Sequence, residues 1–515
     1  MNQDIFFQLS LTAIAFLPSI LLWSVGKEKY ALYALLLAAL VLRLVITSLD
    51  PYLNEWDERF HAVVAKNMMQ YPLKPMIRLE ALVPYRVDDW CCNYIWVHKQ
   101  PLFLWQMALS MKVFGVNTIA LRLPGATMGT FMVYLLYRIA QIWTNNTTAA
   151  YLGALLFAAG YYNLELCSGA MPLDQNDLVM GAYVTASIWV FCEYSIRPRW
   201  RWVILAGIFA GCAVLTKWLT GLLVFGGWGI WLLFLPERRS QWRSWTDLLL
   251  SAGICAALFL PWQWYILHAF PAETAASYAH NIKHIVEDLG HNGTDWTHFA
   301  FMQKAYGGIG LLGLMGLGCL LSWRKPAHRM LSASMTAMFW VVYAFFSFAV
   351  ATKMPGLTFP VAGIGFIWAG MGAAAVLHFL TIKWSLKMPL LKAATGAVAA
   401  ALLGWYSFQP AAIAAFRSSD NAGRLKKLHN TALYQSLQHY VRPEEIIINC
   451  KTMEDTEVRF WQPNNAYHWW PQEKQLDSLI QLGYSFCAFK SHGEQKLPDF
   501  ILQNPRVRIL DLEVE

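Results

Sequence analysis

Long apolar runs alternate with short polar connections along most of the chain. A helix needs roughly 20 apolar residues to cross a bilayer. By that measure the sequence predicts about twelve spans, near residues 5–25, 30–49, 119–141, 149–166, 177–194, 203–217, 219–235, 246–267, 305–322, 330–350, 356–380 and 389–408. Two of them are short. Residues 50–118 follow another pattern. The stretch 57–69 mixes charge with Phe60, Val63, Val64, Met68 and Met69, and 101–114 is apolar but too short to span. Both read as amphipathic helices lying on the membrane surface. After residue 409 the pattern changes again. Residues 446–449 and 486–489 read as short buried strands, 475–482 and 497–503 as helices, and 507–514 as a last strand. That alternation predicts a small α/β domain. The expected architecture is mostly α: a polytopic membrane helix bundle over residues 1–410, with outer amphipathic helices, and a small C-terminal α/β extracytoplasmic domain over 417–515.

Composition agrees with a chain that lives in lipid. Of the 515 residues 57% are hydrophobic and 14% charged, whereas soluble domains carry about 25% charged residues. The 25 Trp and 22 Tyr suit interfacial belts against membrane lipids. The net charge of +8 invites a nucleic-acid reading. It fails, because the basic residues are spread through short loops and no run of five Lys or Arg occurs. The first apolar run lacks a basic leader and a small-residue cleavage site, so it reads as a span and not as a cleaved signal.

Charge also sets orientation. One alternating set of loops holds Lys27 and Lys29, then Arg197, Arg199 and Arg201, then Arg238, Arg239 and Arg243, then Arg324, Lys325 and Arg329, then Lys383 and Lys387. The positive-inside rule makes these loops cytoplasmic. The other set is 50–118, 167–176, the turn at 218, 268–304, 351–355 and everything after 409, so both termini face outward. The nine cysteines show no metal spacing. Cys192, Cys212, Cys255 and Cys319 fall inside spans. Cys91, Cys92, Cys450 and Cys487 face outward, where an oxidising environment would allow a disulfide among them.

The candidate chemistry gathers on that outer side. Ionisable groups at a bilayer are costly to dehydrate, so they read as functional. Asp57 and Glu58 open a helix directly after a membrane exit. They are either first-turn acids favoured by the helix dipole or, for Asp57, a carboxylate base for a weak nucleophile. Asp174 and Asp177 lie in a short outer turn beside Pro172. A carboxylate pair from such distant loops could also hold a divalent metal. Lys99, next to His98, then Lys217 and Lys353 each stand at an outer membrane edge, where Lys is disfavoured. Converging lysines suit a phosphate; snorkelling is the bland alternative. Arg59 and Arg122 are weaker phosphate candidates. His280 and His284, four residues apart, form a weak zinc pair.

Taken in order, these motifs resemble the C-type glycosyltransferase superfamily, and more narrowly the protein O-mannosyltransferase and lipid A aminoarabinose transferase family. The motifs are Asp57-Glu58; His98-Lys99-Gln100-Pro101 with Phe114-Gly115 and Arg122-Leu123-Pro124-Gly125; Asp174; Leu215-Thr216-Lys217; Leu260-Pro261-Trp262; and Lys353-Met354-Pro355. The resemblance implies an extracytoplasmic active site and transfer of one sugar from a polyprenyl-phosphate donor to a protein, glycan or lipid acceptor. It implies Asp57 as the catalytic carboxylate, Asp174 as a second acid, and the lysines, with His98, Glu58, Arg122 and Asp177 around them, as donor-binding residues. The expected location is a bacterial inner membrane with the site on the periplasmic face. The chain departs from the aminoarabinose pattern at His98, where that family has an acid, at Gln100, where it has Pro, and at Gly356, where it has Tyr. A secondary transporter or flippase is the alternative reading. It would place charges in broken helices at the bilayer midplane, and these lie at helix ends.

Overall fold

The computed structural model describes residues 2–324, 329–383, 388–491 and 496–515. Lys325, Lys387 and the Lys383 side chain lie outside the described residues. A helix stands at each of the twelve expected positions. Among the described residues nine are long and apolar enough to cross a membrane alone. The helices Thr297–Ala305 and Ile309–Ser322 are apolar enough only as a pair, and that pair is bent by 103°. The bend falls at Gly307 and Gly308, whose φ values of +90° and +117° suit glycine. Thr147–Ala159 and Leu219–Phe234 are shorter apolar helices. The chain is a multi-pass membrane protein.

Helix Glu28–Ser48 shows how the bundle is made. Ala31, Leu35, Ala38, Leu42 and Ile46 recur at three- and four-residue spacing and are buried. Tyr33, Leu37 and Val41 face outward. Both faces are apolar, so hydropathy alone cannot separate the protein-facing stripe from the lipid-facing one. Small residues make that distinction where helices touch. Thr147–Ala159 crosses Ala362–Lys383 at Gly153 and Gly370. A Cβ on Gly153 would stand 2.9 Å from the Phe366 carbonyl oxygen, and one on Gly370 would strike the Gly153 backbone.

The C-terminal region carries three parallel strands, β1 (Glu445–Ile448), β2 (Ser485–Phe489) and β3 (Val507–Leu510), in the order β1-β2-β3. Parallel neighbours need crossovers, and helices Glu473–Gln481 and Asp499–Leu502 lie in them. Side chains alternate across the sheet. Ile447, Cys487 and Leu510 pack with Tyr434 and Leu437 on one face; Ile446, Phe486 and Val507 pack with Leu476 and Ile501 on the other. All nine cysteines are free in this structure, where a disulfide among Cys91, Cys92, Cys450 and Cys487 was one possibility; Cys450 and Cys487 are core residues of this region.

The surface helix expected over 57–69 is corrected. Helix Asp57–Met68 is buried continuously from Glu58 to Ala65. One flank packs Phe60, Val63, Val64 and Met68 against Phe103, Leu104 and Met107 of helix Pro101–Phe114. Its two cations meet the C-terminal region. Arg59 pairs with Glu454 at 3.4 Å and Glu457 at 3.5 Å. Lys66 Nζ donates to the carbonyls of Arg459 (2.7 Å), Phe460 (3.0 Å) and Gln462 (2.9 Å), at the end of helix Asp455–Trp461. The mixed pattern that reads as amphipathic is therefore an interface with a segment nearly 400 residues away in sequence.

Candidate functional site

Four helix ends meet at one end of the bundle. Asp57 is the first residue of its helix, where the helix dipole favours a carboxylate. Lys99 precedes helix Pro101–Phe114. Gln100 is held extended ahead of Pro101, with φ −71° and ψ 154°, so Lys99 stays off the helix. Asp174 ends the turn before helix Asn176–Ile196, and its Oδ1 accepts the Asn176 N–H at 3.0 Å. Lys217 ends helix Trp200–Lys217, where a cation suits the dipole. The chain turns at once through Trp218, whose φ of +74° is rare for a bulky residue.

These groups form a line of alternating charge. Lys99 Nζ is 3.1 Å from Asp57 Oδ1 and 3.1 Å from Asp174 Oδ2. Lys217 Nζ is 3.0 Å from the same Asp174 oxygen and also donates to Asp177 Oδ1. Asp174 is the centre of the line. Burial alone would push its carboxyl up, but the Lys217 and Lys99 ammoniums hold it well below the usual carboxylate range. Burial likewise opposes charge on Lys99, and the Asp174 and Asp57 carboxylates raise its pKa in spite of that. Three acids and two ammoniums leave one net negative charge. Asp57, with its side chain 26% exposed against 9% for Asp174, is the most accessible acid of the line. Lys99 Nζ occupies the position a divalent ion shared by Asp57 and Asp174 would take.

A cavity of about 500 Å³ lies beside the line. Its polar end is formed by His98, Lys99, Asp177 and Lys217; its walls are Ile282, Ile285, Phe345, Phe346 and Leu357. Ile282 and Phe345 are exposed, so the apolar wall reaches the protein surface. His98 is half-buried against Trp90, with ring centroids 5.3 Å apart, and the loss of solvation drives its pKa well below the ordinary value, which keeps it neutral.

Not every candidate reaches the cavity: Lys99, Asp177 and Lys217 line it, whereas Asp57 and Asp174 meet it only through their lysines. Glu58 and Arg122 pair behind it, at 2.7 Å and 3.0 Å, and both are buried. Glu58 also accepts from the Asn54 N–H (2.6 Å) and Gln175 Nε2 (2.5 Å). Arg122 also donates to the carbonyls of Thr47, Asp50 and Tyr52. With every hydrogen-bonding position in use, the pair fixes the first turn of the Asp57 helix and has nothing left for a ligand. Arg59 is spent on Glu454 and Glu457. Lys353 does not join the other lysines. Its Nζ donates to the carbonyls of Ser347 (2.5 Å) and Val350 (2.5 Å), freed by the π-helical turn Phe345–Ala349, and lies 3.4 Å from Asp295. His280 and His284 stack edge to face at 4.9 Å, with His98 5.3 Å from His280. Burial and then His280 push His284 down to about 4. Among the described residues these histidines are not part of any grouping of three metal-ligating side chains.

Several contributors carry no motif of their own. His61 Nδ1 stands 4.0 Å from Asp174. Tyr278 lines the cavity. Gly356 packs on Asp177 so closely that any Cβ there would collide with the carboxylate. Only its place after Lys353-Met354-Pro355 marks it in the sequence.

Residues 98–265 match the family described as dolichyl-phosphate-mannose-protein mannosyltransferase. The chain is 26% identical over 216 residues to an uncharacterized protein of Aquifex aeolicus, covering 42% of this chain and 39% of that one. It is 23% identical over 325 residues to the undecaprenyl phosphate-α-4-amino-4-deoxy-L-arabinose arabinosyl transferase of Photorhabdus laumondii, covering 62% and 55%. The chain thus spans about half the length, or less, of the curated relatives it matches. The crystal structure of ArnT from Cupriavidus metallidurans bound to undecaprenyl phosphate superposes with a TM-score of 0.61 at 15% identity, covering 93% of this chain and 90% of that one. In fold and in the motifs at its charged helix ends, the chain resembles the C-type glycosyltransferases, and among them the protein mannosyltransferase and aminoarabinose transferase group.

Proposed function

We propose that the chain is an integral-membrane glycosyltransferase that moves a single sugar from a polyprenyl-phosphate donor to an extracytoplasmic protein, glycan or lipid acceptor. The observation that carries this reading is the Asp57–Lys99–Asp174–Lys217 line, whose two lysines reach the lining of an apolar-walled cavity. Such a cavity suits a ligand with a phosphate head and an isoprenoid tail, and the similar Cupriavidus protein has been crystallised with undecaprenyl phosphate. Lys99 and Lys217 turn from carboxylates toward the donor phosphate. The acceptor hydroxyl or amine gives its proton to Asp57 and attacks the anomeric carbon. The carbon–oxygen bond to phosphate breaks, its electron pair stays on the phosphate oxygen, and the two ammoniums stabilise that charge in a site shielded from water. Asp174 holds both ammoniums in place between turnovers.

The distribution of basic residues supports an outward-facing site. Arg197, Arg199 and Arg201 lie at the opposite ends of helices Asn176–Ile196 and Trp200–Lys217 from Asp174 and Lys217, about 30 Å away at 1.5 Å per residue. With the arginines cytoplasmic, the site faces the periplasm of a bacterial inner membrane. The test is turnover of a labelled polyprenyl-phosphate sugar by the purified protein, with Asp57→Asn as control. The variant should keep donor binding and lose about 10²–10⁴-fold in rate. An Asn variant retaining half the normal turnover would remove Asp57 as the base, and movement of intact donor without sugar transfer would point to a transporter.

A further inference from the structure

One grouping of three potential metal ligands occurs among the described residues, and it is outside the cavity. Asp89, Cys91 and Cys92 bring a carboxylate oxygen and two sulfurs within 4.8 Å of one another. Cys91 Sγ is 3.0 Å from Asp89 Oδ1 and 3.0 Å from Cys92 Sγ. A fourth donor comes from the C-terminal region, where His468 Nε2 stands 3.7 Å from Cys92 Sγ. The other ring nitrogen, Nδ1, is 3.1 Å from Asp455 Oδ1. Asp455 is buried and anchored in turn by Arg78 at 3.1 Å and Arg459 at 2.8 Å. A carboxylate at Nδ1 fixes the ring with Nε2 facing the sulfurs, where a bound metal would displace any proton. That is the outer-sphere arrangement metal-ligating histidines use.

We propose that Asp89, Cys91, Cys92 and His468 bind a zinc ion that fastens the 72–100 loop to the C-terminal region. Two thiolates, one imidazole and one carboxylate make a four-coordinate zinc donor set. Two sulfurs bonded to one zinc at about 2.3 Å stand about 3.8 Å apart in tetrahedral geometry, so the Cys91 and Cys92 side chains need open by less than an ångström from where they are. The ligands come from two segments more than 370 residues apart, so the ion acts as a cross-link. The loop it would hold carries Trp90, flanked by two of the ligands. Trp90 packs on Phe60 of the Asp57 helix, with ring centroids 5.0 Å apart, and on His98 at 5.3 Å. The cross-link thus backs His98, which lines the cavity beside Lys99, without touching the charged line. The proposal rests on these contacts and not on the glycosyltransferase reading.

The test uses the full-length protein, purified in detergent without chelator or reductant and supplied with zinc alone. Elemental analysis should find one zinc per chain. X-ray absorption at the zinc edge should show two sulfurs at about 2.3 Å with nitrogen or oxygen completing the shell. Cys91→Ser with Cys92→Ser should abolish the sulfur shell, and His468→Gln should weaken zinc binding by at least about tenfold. The wild-type spectrum stands by itself if the variants fail to fold. Zinc with no sulfur neighbour would overturn the site, as would a zinc-free protein. So would a Cys91–Cys92 disulfide found by mass in the protein as isolated, which would make the pair a redox element instead.

Discussion

Lys99 offers the sharpest test of the charged line. Its Nζ lies 3.1 Å from both Asp57 and Asp174, with its side chain 14% exposed. At an effective dielectric of about 20, each such pair represents about 5 kcal/mol of gross attraction. Desolvation of the three charges offsets most of that. Removing Lys99 does not undo the desolvation of its partners. Lys99→Ala leaves Asp57, Asp174 and Asp177 with Lys217 alone, and breaking a buried pair from one side typically costs about 3–5 kcal/mol. The lower figure fits better here, because the Asp57 side chain is 26% exposed and can turn to water. The assay is a double-mutant cycle: wild type, Lys99→Ala, Asp174→Ala and the double variant, unfolded in the same detergent. The two changes should couple by about 1–3 kcal/mol, with the double variant less destabilised than the sum of the singles. Sugar transfer measured in parallel should fall about 10²–10³-fold in Lys99→Ala, the size expected for a lost charge-stabilising donor. Excess donor should rescue it only in part, since the leaving phosphate is also less stabilised. Coupling below about 0.5 kcal/mol, with transfer within twofold of normal, would refute both the network and the phosphate role.

Other outcomes follow from the same geometry. Lys353→Ala should lower the melting temperature and leave the donor KM unchanged, because its ammonium is bound to the Ser347 and Val350 carbonyls; a large KM effect would return it to the phosphate site. Gly356→Ala should raise the donor KM by driving the Asp177 carboxylate off Lys217, and a variant with wild-type kinetics would show that this packing is slack. In an Asp177→Asn background, which removes the third acid of the line, donor binding should be flat from about pH 5 to about pH 8. Burial opposes the charges of both groups, but carboxylates raise Lys99 and ammoniums lower Asp174, so neither changes charge in that window; a tenfold change in affinity across it would point to another titrating group.

The sequence marks the groups that build the site better than it marks their partners. Asp57, Lys99, Asp174 and Lys217 are all legible as charges at membrane edges, and the structure joins them. Lys353 carries the same local signal as Lys217. What separates them is the π-helical turn 345–349, whose freed carbonyls take the Lys353 ammonium, and no residue pattern announces that turn. Glu58 looks as functional as Asp57 next to it. Adjacent residues on a helix point about 100° apart, and Glu58 points back to Arg122, 64 residues away. Helix count suffers from a different ambiguity. Thr147–Ala159 and Leu219–Phe234 are apolar enough to be read as spans and too short to be spans alone. The zinc ligands illustrate the limit most clearly: adjacent cysteines give no metal spacing, and the histidine that completes the set comes from another region of the chain.

The clamp on helix Asp57–Met68 has a consequence for biogenesis. Arg59 and Lys66 find their partners only at residues 454–462. During synthesis the Asp57 segment leaves the membrane long before that stretch has been made or exported. Until then the two cations have no partner, although the apolar flank can already pack on helix Pro101–Phe114 and Arg122 can hold the first turn through Glu58. The turns beyond Glu58 are therefore fastened last, when residues 454–462 dock. A nascent chain arrested before that point would have its charged line within reach and the rest of the Asp57 helix still loose, so gathering the site and locking it become separate events, with docking of the C-terminal region as the step that joins them.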